Sequence, residues 1–395
     1  MLRSRDPVPR IYLDHNATTP LLPEVADRLD RVSREVWGNA SSVHHFGQQA
    51  KAVLDDARNE VAALIGVDPS EVVFTAGGTE SDNFALRGAA EALEPTGRKH
   101  LIATTIEHEA VLNTLKSLAR RGWRVTLVPV DASGIVSPDA LRKVITDDTA
   151  VVSVMHANNE IGTIQPVAEL AAIAHERGAL VHTDAVQSAG KIALDVKSLG
   201  ADLLSISGHK LYGPKGVGAL WIRRGVRLLP FVTGGRQERN RRAGTENVAG
   251  FSALGVAARV ARDKLTSEAA RLAALRDRLE NGVLAAVPGS IRNGAASPRV
   301  PNTTNISFER IESESVLIGL DLEGIAVSSG SACSSGTLEP SHVLKAMGLP
   351  HHRTLSSIRF SLGLSNTEAD VDRVIRVLPG LVEKLRSLST AGTRR

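Results

Sequence analysis

From Gln48 onward, apolar residues fall at Ala50, Val53, Leu54, Ala57, Val61, Leu64 and Ile65, and Gly66 stands where a helix should stop. Seven short apolar runs follow, at 72–75, 101–104, 125–130, 150–155, 180–183, 203–207 and 218–222, with amphipathic stretches such as 110–121 and 167–177 between several of them. Strands alternating with helices predict a mostly parallel sheet covered on both faces. After Gly250 the rhythm changes. One helix is expected over 253–261 and a longer one over 268–287, with Leu272, Leu275, Leu279 and Val283 on one face and Pro288-Gly289 ending it. Short strands at 304–308 and 357–362 and a helical pattern near 369–385 close the chain, and Pro379-Gly380 should kink or split that last pattern. The whole reads as a large α/β domain to about residue 265 and a smaller α+β domain after it.

Composition narrows the class. With 395 residues, 42% of them hydrophobic and 23% charged, the chain is an ordinary globular protein and not a disordered, collagenous or coiled-coil one. The balance of 47 Lys+Arg against 43 Asp+Glu leaves +4, too small and too dispersed to argue for direct nucleic-acid binding. No apolar stretch approaches the roughly 20 residues of a membrane span. Residues 1–10 hold three Arg and two Pro around no apolar core, so they do not read as a secretory signal, and a cytoplasmic protein is expected. The one cysteine, Cys333, excludes an intrachain disulfide and any all-cysteine zinc or iron–sulfur site within one chain. The pairs His44-His45 and His351-His352 lack accompanying ligands at suitable spacing, so no metal is expected.

Several segments at strand ends carry candidate chemistry. Lys210, in Ser207-Gly208-His209-Lys210, follows a strand among glycines that leave room for close approach; it suits a Schiff-base lysine or a surface turn. Asp184 ends another strand, where it suits the protonated nitrogen of a pyridine or a helix cap. Gly77-Gly78-Thr79 opens a helical run after a strand, as a phosphate-binding turn or a plain tight turn would. His108 also follows a strand, and a lone His is more often structural than catalytic. Cys333 lies among Ser, Gly, Ala and Thr with no apolar neighbours at strand or helix spacing, which reads as a loop presenting a thiol. Arg359, on a strand pattern between apolar neighbours, suits a carboxylate or an ordinary salt bridge.

Together with Tyr12-Leu13-Asp14-His15-Asn16-Ala17-Thr18-Thr19-Pro20, Gly38-Asn39-Ala40-Ser41-Ser42 and His156-Ala157-Asn158-Asn159-Glu160-Ile161-Gly162, these segments resemble the NifS/IscS type of cysteine desulfurase, in the class V family of pyridoxal-phosphate-dependent aminotransferases. The resemblance spans nearly the whole chain. It implies the fold type I architecture of such transferases, with residues 15–265 as a cofactor-binding domain and 266–395 as a small domain on which residues 1–14 pack. It implies pyridoxal 5'-phosphate bound covalently to Lys210, with Asp184 on the ring nitrogen and His108 stacked on the ring to shuttle protons. Gln187 and Asn159 would face the ring hydroxyl, and Gly78, Thr79, Ser207 and His209 would hold the phosphate. Thr245 would reach the phosphate of a partner subunit in a homodimer, and Arg359 with Asn159 would bind the carboxylate of L-cysteine. Cys333 would take the sulfur as a persulfide, leaving L-alanine, and pass it to an acceptor such as an iron–sulfur scaffold or a tRNA-thiolation protein. Gly78 stands where many relatives have Ala, and Ala40 where Pro is frequent; neither change touches the chemistry.

Two other activities of the same fold, selenocysteine lyase and aminotransferase, would use Lys210 and Asp184 equally well; transamination has no need of Cys333. The basic cluster Arg236, Arg239, Arg241 and Arg242 reads as a solvated loop, with an acidic acceptor or a subunit contact as the alternative.

Overall fold

A computed structural model describes residues 10–296, 298–329 and 340–392. All seven apolar runs become strands of one sheet, ordered Val72–Thr75, Gly218–Ile222, Leu203–Ser207, Leu180–Asp184, Thr149–Ser153, His100–Thr104 and Arg124–Val128. Only Gly218–Ile222 runs against its neighbours; the other pairings are parallel. Helices cover both faces, which is why most of these strands read as continuous apolar runs instead of alternating ones. A three-stranded antiparallel sheet, Ser357–Ser361 beside Thr303–Phe308 beside Ser290–Asn293, belongs to the later part of the chain. The N-terminal strand Ile11–Tyr12 pairs in parallel with Ile325–Ala326, so the first described residues lie against that later part.

Two expectations fail. The helices expected over 253–261 and 268–287 are one helix, Val248–Ala286. The polar interval 262–268 contains neither Gly nor Pro, so nothing in it interrupts the backbone ladder. The first half buries Phe251, Leu254, Ala257 and Ala258 against the core beneath the large sheet. The second half buries Leu272, Leu275, Leu279 and Val283 in a separate core with Ile306, Phe308, Ile358 and Phe360. Likewise Pro379 does not split the final helix, Glu368–Gly392. Val371, Val374, Leu378 and Val382 are at most 1% exposed, and their burial outweighs the hydrogen bond that proline forfeits.

The basic segment 236–242 is not simply a solvated loop. Left-handed backbone at Glu238, Arg239 and Asn240 (φ 44°, 57° and 62°) turns Glu238 into the interior. Its carboxylate accepts from Arg58 at 2.7 and 2.8 Å and from Phe74 N at 2.9 Å. Arg239 reaches Val72 O, and Arg242 pairs with Glu80 at 2.8 Å. Arg236 remains exposed.

Candidate active site

Strands that run parallel end on the same edge, and the loops leaving that edge converge. Five such ends build one cavity of about 370 Å³, lined among others by Gly78, Thr79, His108, Asn159, Asp184, Gln187, Ser207, His209, Lys210 and Arg359. Ten of the twelve candidate residues therefore meet. Thr245 is exposed and does not line the cavity of its own chain. Cys333 lies outside the described residues.

At one end of the cavity the helix Gly78–Leu93 begins without a side-chain cap. Its first backbone N–H groups and the positive end of its dipole are thus free for an anion. Close packing demands the glycines: a Cβ on Gly218 would come within 2.7 Å of Gly77 Cα, and one on Gly78 within 2.9 Å of a Val186 methyl. Glu80 braces the turn by accepting from Ala76 N at 3.1 Å while holding Arg242. Ser207 ends its strand beside this turn, and His209 leans on Thr18 Oγ1 at 3.2 Å. Burial, with Lys210, Lys215 and Lys191 nearby, pushes the His209 imidazole down to about 4.

Lys210 closes the short helical turn Gly208–Lys210 and donates to the backbone carbonyls of Asn16 and Ala17 at 2.5 and 2.6 Å. Asp184 is 6% exposed and accepts from Val186 N at 2.9 Å through Oδ1. Burial, with Asp82 adding to it, pushes its carboxyl up from 3.8 to about 7. A cationic ring nitrogen against it would reverse that shift. His108 caps the helix Glu109–Ala119: its Nδ1 accepts from Ala110 N at 3.1 Å, which leaves the ring proton on Nε2. Arg359 is 2% exposed; it donates to Asp14 Oδ1 at 2.6 Å and to Asn159 O at 3.1 Å, and its Nε has no partner among the described residues. An uncapped helix start, a buried carboxyl of raised proton affinity and a lysine in one cavity suit a phosphorylated pyridine.

Three contributors escape the sequence reading. Asn16 accepts through its carbonyl from Lys210 and from Gln187 Nε2, the latter at 3.0 Å, and its side chain donates to Asn159 O and Thr303 Oγ1 at 3.0 and 2.8 Å. Lys191 donates to Gln187 Oε1 at 2.7 Å and to Asn16 Oδ1 at 3.2 Å, fixing which way the Gln187 amide points. Asp82 lines the cavity from the helix Gly78–Leu93. A signal exists only for Asp82, a charged residue on the stripe that buries Ala85, Leu86 and Ala89.

The Asp184 shift sets a pH dependence. A folded protein that holds this proton up to about pH 7 gains stability that is complete below about pH 4 and lost as pH rises through 7. Asp184→Asn cannot ionise. In cofactor-free protein its unfolding midpoint should therefore gain on the wild type as pH rises from about 4 to about 8. A difference that stays flat across that range would mean that the carboxyl is unperturbed.

A family model described as aminotransferase class V matches residues 11–374. The cysteine desulfurase IscS of Dictyoglomus turgidum is 49% identical over 379 residues, covering 96% of this chain and 96% of that protein. A solved NifS-like protein superposes with a TM-score of 0.90 at 38% identity, over 95% of this chain and 100% of that one. The structure of SspA in complex with cysteine matches with a TM-score of 0.79 at 34% identity, over 89% of this chain and 98% of that one.

Proposed function

The chain belongs to the aminotransferase class V family, and on that basis we propose that it is a pyridoxal-phosphate-dependent cysteine desulfurase. The reaction converts L-cysteine to L-alanine and leaves the sulfur on Cys333 as a persulfide for an acceptor protein. One observation carries the reading: a lysine, a buried carboxyl and an uncapped helix start line a single cavity, in a chain half identical to named cysteine desulfurases.

The bound cofactor would supply an electron sink for charge developing at the substrate Cα. Gly78, Thr79, Ser207 and His209 hold its phosphate, Asp184 its ring nitrogen, and Asn159 and Gln187 the ring hydroxyl side. Arg359 binds the substrate carboxylate; Asp14 and the Asn159 carbonyl already fix the guanidinium plane, so little side-chain entropy is left to lose. Lys210 would remove the Cα proton, and His108, with its hydrogen on Nε2, would donate in the same cavity. The Cys333 thiolate attacks the substrate sulfur. The Cβ–S electrons stay with carbon, which takes up a proton, and the new S–S bond forms without an external oxidant. A reactive thiol of this kind fits the reducing cytoplasm, where we place the enzyme. Its acceptor is a protein that builds iron–sulfur clusters or thiolates tRNA.

The test is product analysis. Protein loaded with pyridoxal phosphate should yield L-alanine from L-cysteine, and peptide mass spectrometry after brief exposure should find one added sulfur atom on the Cys333 peptide. A keto acid in place of alanine would make it an aminotransferase.

Thr245, exposed and not among the residues that line its own cavity, supports a homodimer in which it reaches the partner's phosphate site. Mixing Lys210→Ala with Thr245→Ala subunits would then create heterodimers with one intact and one doubly defective site. Activity above both parents is expected. Verified heterodimers no more active than the parents would refute the sharing.

A further inference from the structure

Asp82 sits one helical turn in from Gly78, on the helix whose uncapped start faces the cofactor cavity. It is 1% exposed, and its Oδ1 has no hydrogen-bond partner among the described residues. The His182 Nε2 lies 3.5 Å away, but that nitrogen bonds Ser205 Oγ at 3.0 Å and the other bonds Ser153 Oγ at 2.8 Å. A buried carboxylate with an unpartnered oxygen on an apolar helix stripe costs stability unless a cation answers it. The cation has a place: Asp82 and Asp184 line the same cavity. One helix thus offers N–H groups to an anion at its tip and a negative charge one turn deeper. That polarity matches a ligand with phosphate at one end and a protonated ring nitrogen at the other.

We propose that Asp82 is a positioning residue for the cofactor's ring nitrogen, acting through Asp184: its charge holds the proton on the ring. The inference rests on the cofactor assignment above. The other groups around this pair are known. Glu107 is fully buried, accepts from Thr104 Oγ1 at 2.6 Å and Met155 N at 2.9 Å, and is pushed up to about 8 chiefly by burial, with Asp184 and Asp82 adding to it. His108 and Lys210 act on Asp184 in the opposite sense to Asp82. The proposal gives this acidic cluster a purpose beyond the single Asp184 contact: it keeps the electron sink strong at pH values where an isolated pyridine would lose its proton.

The experiment compares pyridoxal phosphate with its carbocyclic analogue, in which C–H replaces the ring nitrogen. Both are titrated onto cofactor-free wild type and Asp82→Asn protein, and the unfolding midpoint of each unloaded protein is recorded. The ratio of the two affinities cancels losses common to both ligands. Wild type should prefer the nitrogen-bearing ring, and Asp82→Asn should lose about tenfold of that preference, the size expected for one nearby charge on a buried pair. The unloaded variant should be at least as stable as wild type, because an unpartnered buried charge has gone. An unchanged ratio overturns the proposal. A variant that is insoluble or less stable overturns it too, because Asp82 would then be a structural partner of His182. If wild type binds neither ligand and borohydride fixes nothing to Lys210, the cofactor assignment itself fails, an outcome distinct from the first two.

Discussion

Lys210→Ala should lower cysteine-dependent alanine formation by about 10⁴-fold or more, since on the mechanism proposed above it removes both the covalent anchor and the base for the Cα proton. Cofactor should still enter the cavity, because the phosphate turn at Gly78, the Ser207 hydroxyl and the Asp184 carboxyl are untouched. The difference lies in how it is held. Borohydride should fix the cofactor to wild type and leave it dialysable from the variant. The discriminating alternative is built into the site: Lys191 is a second partly buried amine, 3.2 Å from Asn16 Oδ1, while Lys210 meets the carbonyl of the same residue. Burial, with Lys210 and Arg359 nearby, holds the Lys191 ammonium well below the usual lysine range, so it too is chemically competent. A reduced adduct mapped to the Lys191 peptide would overturn the assignment of Lys210.

Cys333→Ala should abolish sulfur transfer outright, because no other cysteine exists in the chain to take over. Its neighbours from Ser328 to Thr337 are Ser, Gly, Ala and Thr, so the substitution should change stability by no more than ~0.5 kcal/mol. Cofactor binding and the spectral change on adding cysteine should persist, since Lys210, Asp184 and Arg359 remain. Described residues on either side of Cys333 contact the cavity wall or its neighbours. Ser328 pairs with the Arg359 backbone at 2.6 Å, while Ser341 reaches Glu160 and His342 reaches the Glu107 carbonyl at 3.0 Å. Undiminished alanine and transferable sulfur from Cys333→Ala would leave the cysteine as a small loop residue and the mechanism wrong.

The large sheet is legible in the sequence for a physical reason. Strands buried on both faces, such as Thr149–Ser153 and Gly218–Ile222, need apolar or small residues throughout, and short runs of that kind between helical patterns have few other readings. The helix Val248–Ala286 is less legible because its apolar face serves two cores in turn. A reader following one face sees the pattern stop and restart although the backbone never does. Pro379 misleads similarly, since a local rule competes with burial that only the fold reveals. Within the site, Lys210, Asp184 and His108 stand out because they lie at or just after strand ends. Asn16 and Lys191 do not, because what they do depends on contacts with groups such as Thr303 and Lys210 that no local pattern shows.

Arg359 meets Asp14 across 345 residues of chain, and Asn16 meets Thr303 across 287. The first residues of the site leave the ribosome early, and Arg359, proposed to grip the substrate, leaves almost last. At roughly 5–20 residues per second, about 20–70 s separate them. The seven-stranded sheet ends at Ile222 and can condense during that interval, exposing Lys210 in a half-built cleft. The strand Ile11–Tyr12 has no partner until Ile325–Ala326 emerges. Completion of synthesis therefore acts as a clock on the chemistry: unfinished chains, which could liberate sulfur with nowhere to send it, cannot hold cysteine in a reactive pose.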